Sequence, residues 1–435
     1  MFNNLDDTNV NQMNLASEFL RQCEWQKAGE IFHHIWINEN NAYAASRYLY
    51  CLRKAGFAEI SIRQGKIANS QFPNNTYIRS ELVWSYYDAK IKTEEAQRNL
   101  SNLIRAAEEV LSVNPDTLPK ELVVFAVIKA AKQKDDWQTV STWCDKLNPQ
   151  TISEDRASSS SGRTMSNKEK WFFAKIKSLI ELKKWEQARI LGLEASKIYP
   201  NQIQFYRWSA LALGGQGLEL QAIEELNNLI VRFREEWYIF QDIGELYSKI
   251  HQPEPALQLL CRSALCHGED KLKVSLYASI AEKSLILDKL EMAADTLILA
   301  KLVRQREEWR VSQQLQSLEK IIVQKLREET SSWQPTQNLR ELYRKCHRHW
   351  QTEVYANEPR YSGTIHSLPP DKQHGWIMAE DGRRIFFLQR ELPPHLRQEQ
   401  LSVDFLLQES WDRRRGERSV RATDIQVINN QTQNN

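Results

Sequence analysis

Glycine and proline are scarce, at 14 and 13 of 435 residues, against roughly 7% and 5% in average usage. Few breakers means few tight turns, so most of the chain is expected to be helical. An excess of one charge is missing too. Lys and Arg total 58 and Asp and Glu 56, a formal +2. That argues against coating nucleic acid by bulk charge and leaves room for a local basic patch. No run reaches the 18 or so apolar residues that a membrane span needs. The opening MFNNLDDTNVNQMN has neither the basic nor the apolar segment of a secretory leader, so a cytoplasmic location is expected. The six cysteines (Cys23, Cys51, Cys144, Cys261, Cys266 and Cys346) are scattered, mostly among apolar residues. They read as reduced thiols and not as a disulfide framework. What is present is 41% apolar and 26% charged residues, a globular composition. At about 100–200 residues per domain there is room for two to four domains.

Internal repeats organise the chain. Ala188, Ala222 and Ala256 are spaced evenly, and Ala293 follows. Seven residues beyond each stand Ala195, Leu229, Ser263 and Ala300. A second echo places Trp three residues before a small or β-branched position: Trp25 before Ala28, Trp137 before Val140, Trp185 before Ala188. The pattern predicts a stack of helical hairpins, with a small residue where two helices cross closely. A proline such as Pro200 fits just past a second helix.

On these residues the chain resembles the tetratricopeptide repeat family. The unit from Trp237 to about Gly268 carries Phe240, Ile243-Gly244, Tyr247, Ala256, Leu260 and Ser263 at the family's spacing. The unit from Glu169 matches at Ala188, Ala195 and Pro200. Looser units occupy about 11–41, 42–75, 76–115 and 120–149, giving about eight hairpins from 10 to 305. The expected organisation is N-terminal repeats over 10–149, a flexible Ser-rich loop over 150–168, and further repeats over 169–305. Residues 306–354 form a long helix and a basic helical neck, and 358–430 a small barrel. An apolar stripe from Leu302 to Leu326 predicts one helix over 301–329. In the neck, Arg340, Arg344, Lys345 and Arg348 stand against Glu341, a local excess of positive charge. Tryptophans such as Trp36, Trp84, Trp143, Trp208 and Trp237 read as core. Polar residues on the inner helices of such a stack would line a concave surface for a protein partner.

After Asn357 the pattern changes to five short alternating runs, SGTIHSL, GWIMA, RRIFFL, LSVDFLLQ and VRATDIQVI, which predict an all-β barrel. This segment resembles the cold-shock domain, a five-stranded OB-type barrel that binds single-stranded RNA or DNA. Gly363-Thr364-Ile365 matches the opening strand, Lys372 to Ile377 the first aromatic motif and Ile385 to Gln389 the second. The resemblance departs at Ser367, His374, Leu388 and Gln389, where the family has aromatic or histidine residues.

Strand alternation puts His374, Trp376 and Met378 on one face, opposite Ile377. If Ile365, Ile377, Ile385 and Phe387 fill the barrel, then Trp376, His374 and Phe386 form an exposed cluster on which bases stack. Lys372, Arg383 and Arg384 lie beside it. Arg413, Arg414, Arg415 and Arg418, next to Trp411, occupy the last inter-strand loop, where guanidiniums meet phosphates. From Tyr355 to the end the charges cancel, so it is their distribution that favours nucleic acid.

No metal, cofactor or catalytic constellation stands out. Cys346-His347-Arg348-His349 lacks a distant cluster to complete a tetrahedral site. Cys261 and Cys266-His267 read as core packing on a repeat helix. Gly214-Gly215-Gln216-Gly217 lacks the Lys-Ser/Thr of a phosphate loop. The expected function is a non-enzymatic RNA-binding adaptor whose solenoid recruits a protein partner. Two alternatives stand beside it: a protein-interaction scaffold with a degenerate barrel, and an accessory subunit of a nucleic-acid-processing or phage-defence complex.

Overall fold

One turn is used again and again along the helical part. At Cys23, Gly56, Arg98, Asp135, Lys183, Gly217, His251, Asp288 and Glu308 the backbone enters the left-handed region, with φ between 53° and 86°. Each time the next amide donates to the carbonyl five residues back, as Glu24 does to Phe19, Lys184 to Leu179 and Gln252 to Tyr247. This is the Schellman ending of a helix, and it reverses the chain into the following helix. Seven of the nine turns are made without glycine. The scarcity of glycine therefore does not mean a scarcity of tight turns, as composition suggested. Other residues adopt the left-handed conformation, at a steric cost.

The computed structural model describes residues 3–155, 158–159, 162–233, 236–329, 333–370, 372–412 and 417–428. For 3–10, 158–159, 162–163, 231–232, 409, 411–412 and 417–418 the description is of the backbone. The chain divides into two compact units, Met1–Ala222 and Ile223–Asn435.

The first unit pairs α1 (Asn3–Arg21) with α2 (Trp25–Glu39) and α3 (Ala42–Lys54) with α4 (Ala58–Gln71). Next, α5 (Thr76–Tyr86) passes through a π-turn at Tyr87–Ile91 into α6 (Lys92–Gln97), followed by α7 (Leu100–Ser112). The series continues with α8 (Thr117–Lys132), α9 (Trp137–Cys144), α10 (Asn167–Glu181), α11 (Trp185–Ile198), α12 (Ile203–Gly215) and α13 (Glu219–Arg232), within which the boundary falls. Side-chain caps from Asn41, Asn75, Asn99, Asp136 and Ser166 start α3, α5, α7, α9 and α10, each satisfying a free amide of the first turn. Helices two apart, such as α3 with α5 and α10 with α12, also touch, which stacks the hairpins. Ala28, Ala188 and Ala222 are fully buried, as the spacing of small residues predicts. Trp36 and Trp143 are buried, while Trp84 and Trp208 are half-buried.

The segment expected to be a mobile loop, 150–168, is described in part. Residues 156–157 and 160–161 lie outside the described residues, and Ser158–Ser159 pairs with Gly162–Arg163. Its two shoulders are held by one buried carboxylate. Glu121 accepts the Ser153 amide at 3.0 Å and the Asn167 Nδ2 at 2.7 Å.

The second unit continues with α14 (Trp237–Lys249), α15 (Pro253–Leu265), α16 (Val274–Ile286), α17 (Leu290–Arg306), α18 (Gln313–Glu328) and α19 (Leu339–Tyr355). The single helix expected over 301–329 is two helices. The Schellman turn at Glu308 stops α17, and the Ser312 side chain caps α18 by accepting the Leu315 amide. The apolar stripe ran on because both helices face the same core. Buried Leu342, Cys346, Trp350 and Val354 set α19 against α15 and α17, with Trp350 stacked on Tyr277 at 5.4 Å. Buried Lys273 donates to the Ala264 and Cys266 carbonyls at the end of α15.

Five strands follow: β1 (Tyr361–Ser367), β2 (His374–Ala379), β3 (Arg384–Leu388), β4 (Ser402–Asp412) and β5 (Glu417–Val427). They close in the order β1-β2-β3-β5-β4, with β3 and β5 parallel and the other neighbours antiparallel. Ile365, Ile377, Ile385, Phe387, Val403 and Phe405 fill the interior. Gly363 is glycine because a Cβ would strike the Met378 carbonyl of the paired strand. Arg360 ties the barrel's entry to its far side through Asp404 at 2.8 Å and Asp424 at 2.6 Å. Within each unit the helices pack as successive antiparallel hairpins, and in the second unit a closed five-stranded barrel follows them. No helix among the described residues is long and apolar enough to cross a membrane.

Candidate nucleic-acid interface

The alternation of HGWIMA decides which side chains face out. Gly375, Ile377 and Ala379 point into the barrel, so His374, Trp376 and Met378 stand on its outer surface. On β3 the same rule turns Arg384, Phe386 and Leu388 outward and buries Ile385 and Phe387. Register then sets the neighbours: His374 opposite Leu388, Trp376 opposite Phe386, Met378 opposite Arg384.

The three rings meet. Trp376 packs edge-to-face on Phe386 at 5.7 Å, and His374 lies 5.3 Å from Phe386 and 6.4 Å from Trp376. They are half-buried and not fully exposed as expected, because each ring covers part of the next. The Arg384 guanidinium lies over the Trp376 ring at 4.5 Å, a cation–π contact.

Arg383 goes elsewhere. It pairs with Asp381 at 2.6 Å and lies over the Tyr361 ring at 5.7 Å. Its side-chain hydrogen bond holds the Asp381 carboxyl below the usual range. Lys372 is exposed in the turn before β2, lining a small pocket of about 200 Å3 with Gln373, Gln389 and Arg390. Gln389, one of the departures from the cold-shock pattern, donates to the Pro369 and His374 carbonyls at 3.1 and 3.2 Å. It anchors the β1–β2 loop in place of presenting a ring. Arg413, Arg414 and Arg415 lie outside the described residues. Trp411 pairs with Arg418 across β4 and β5, and their side chains lie outside the described residues as well.

Arg421 is not marked by the sequence pattern. The parallel pairing of β3 with β5 sets it beside Phe386. Its Nε and Nη2 donate to Gln408 Oε1 at 3.0 and 2.6 Å. A polar and aromatic row thus crosses the barrel from Trp376 through Phe386 and Arg421 to Gln408. The signal was the strand order implied by an OB-type barrel, which brings the third and fifth strands together. Nothing local to Arg421 marks it.

Elsewhere, Asp295 accepts hydrogen bonds from Trp333 Nε1 at 2.9 Å and pairs with His349 Nε2 at 3.2 Å. Among the described residues, no group of three or more His, Cys, Asp or Glu is placed to hold a metal.

The family profile described as "Domain of unknown function (DUF7017)" matches residues 203–349. No curated protein matches the chain. Among solved structures, a tetratricopeptide repeat protein from Parabacteroides merdae is similar at 11% identity, over 62% of this chain and 97% of its own, with a TM-score of 0.29. The TPR2AB domain of yeast Sti1, solved with pHSP90, is similar at 12% identity over 73% of this chain and 99% of its own, with a TM-score of 0.28. The Naa15/Naa10 complex bound to HypK-THB is similar at 11% identity over 80% of this chain and 50% of that one, with a TM-score of 0.42. At scores this low the architecture rests on the helix and strand contacts described above.

Proposed function

We propose that this chain is a non-enzymatic adaptor. Its barrel, of cold-shock type, binds single-stranded RNA, or single-stranded DNA, on the face built from His374, Trp376 and Phe386, and its helical hairpins recruit a protein partner. The observation that carries this reading is the contact of the three rings on the outer surface of a barrel whose interior is already filled by Ile365, Ile377, Ile385 and Phe387. A barrel does not need these rings for its core. Base stacking does, at about 1–3 kcal/mol per base. The strand order with its parallel β3–β5 pair supports the OB-type assignment. Arg384 and Lys372 supply positive charge at the edge of the rings.

A second reading is a protein-interaction scaffold whose barrel has lost its nucleic acid. It is favoured by Gln389, which holds a loop where the cold-shock pattern presents a ring, and by Arg383, which is tied to Asp381. The two readings part on one titration of the full chain with a single-stranded oligonucleotide at low salt. The adaptor binds it and the scaffold does not.

A further inference from the structure

α19 carries a basic side turned away from the core. Its buried stripe is Leu342, Cys346, Trp350 and Val354. At about 100° per residue, Arg348 stands opposite the middle of that stripe, and Arg344 and Arg340 follow it along the same face. All three are exposed. Among the described residues their guanidiniums make no hydrogen bond or ion pair. In the same unit Lys289, Lys301 and Lys325 each pair with a carboxylate, Glu353, Glu319 and Asp288. The arginine ridge is thus an unneutralised line of charge about 12 Å long. The carboxylate nearest it in sequence, Glu341, accepts a hydrogen bond from Thr336 at 3.2 Å.

The ridge leads to the barrel. Tyr355, seven residues beyond Arg348, falls on the same face of the helix. It lines a cleft of about 540 Å3 together with Arg262, Gln408 and Arg421. Gln408 and Arg421 are the far end of the row that starts at Trp376 and Phe386. Measured around the curved surface of the barrel, that row covers three strand spacings, about 14 Å. Among the described residues, Glu358 is the one carboxylate lining the cleft, against two guanidiniums.

We infer that Arg340, Arg344 and Arg348 carry the phosphate backbone of the same single-stranded nucleic acid beyond the barrel, with the cleft at Tyr355 joining the two segments. The inference rests on the reading of the barrel given above. It makes the site longer than a cold-shock barrel alone and gives a near-neutral chain a localised electrostatic contribution to binding.

The test is titration of the full chain with fluorescein-labelled oligouridylates of 6 and 20 nucleotides across a range of salt, with oligodeoxyuridylates of both lengths alongside to separate RNA from DNA. The R340Q/R344Q/R348Q variant is expected to bind the 20-mer about tenfold more weakly and to lower the log–log salt slope by about 2. Its affinity for the 6-mer stays within twofold of the parent. The pattern is the same for whichever sugar binds. Glu341→Gln, which removes the nearby carboxylate, is expected to tighten the 20-mer at least twofold and decides the matter should the triple variant fail to fold. A 20-mer affinity and slope unchanged in both variants overturns the ridge assignment, as does an equal loss on both lengths. A loss of at least tenfold on both lengths in W376A/F386A upholds the barrel reading independently. Binding that ignores W376A/F386A overturns that reading and this inference together.

Discussion

The guanidinium of Arg384 lies 4.5 Å from the centre of the Trp376 ring, on the outer face of the barrel. The two residues sit on paired strands, Arg384 opposite Met378 and one alternation away from Phe386. On the proposed reading the arginine meets a phosphate beside the indole while keeping its cation–π contact. Arg384→Ala is expected to weaken single-stranded oligonucleotide binding several-fold and to lower the salt slope by about 0.7. Arg384→Lys should restore the slope but not all of the affinity, because an ammonium keeps the charge and loses the planar face. Titration at four or more salt concentrations checks both statements.

The repeated Schellman turn makes a stability prediction. Lys183 and His251 hold φ of 57° and 58°, where an L-residue is crowded and glycine is not. Lys183→Gly and His251→Gly are each expected to stabilise the chain by about 0.5 kcal/mol, the relief of strain being partly offset by the greater freedom of glycine in the unfolded chain. Gly217, at φ 85° in the equivalent turn, should behave in the opposite way, with Gly217→Ala costing about 1 kcal/mol. Urea midpoints of the three variants decide this. A loss in both Gly substitutions would contradict it.

The buried carboxylate of Glu121 holds both shoulders of the 150–168 segment. Glu121→Ala removes two hydrogen bonds from a charged acceptor and should cost about 2–3 kcal/mol. Limited proteolysis gives the more specific reading: cleavage within 150–168 is expected to speed up more than cleavage elsewhere. Uniform acceleration would instead indicate a general loss of stability.

Much of this fold is legible in the sequence. The spacing of Ala188, Ala222 and Ala256 marks the hairpins because a close helix crossing admits nothing larger. The strand alternation in HGWIMA and RRIFFL marks the ring face because the barrel interior can take only one set. What was not legible depends on non-local pairing or on backbone conformation. Arg421 joins the ring row through a parallel strand contact from 35 residues away. The break in the helix expected over 301–329 is a left-handed turn at a glutamate, Glu308, a residue type that does not advertise such a turn. Arg383 and Arg384 are adjacent in sequence yet separate in role, since one pairs with Asp381 in the hairpin turn and the other lies on Trp376.

The thiols make a pH prediction. Burial pushes the Cys51 and Cys144 thiols up to about 12, from an ordinary value of 9.0. Between those values the unfolded chain loses protons that the folded chain keeps, so stability is full below about pH 9 and declines as pH rises toward 12. Native-state alkylation gives a companion measurement. Cys23 is exposed and should react with iodoacetamide at once, whereas Cys51, Cys144, Cys261 and Cys346, all buried, should react only as the chain unfolds. Rapid labelling of Cys144 in the native protein would contradict the packing described.

On the proposed reading the outer ring face of the barrel binds single-stranded nucleic acid. The most direct measurement compares the full chain with its Trp376→Ala/Phe386→Ala variant in titrations with a single-stranded RNA at low salt. Both side chains are half-buried on the outer surface, so the variant is expected to keep its helical circular dichroism and its cooperative melt. Salt-sensitive binding by the parent and a loss of at least tenfold in the variant are expected, since stacking contributes about 1–3 kcal/mol per base. No binding by the parent, or equal binding by the two, would contradict it.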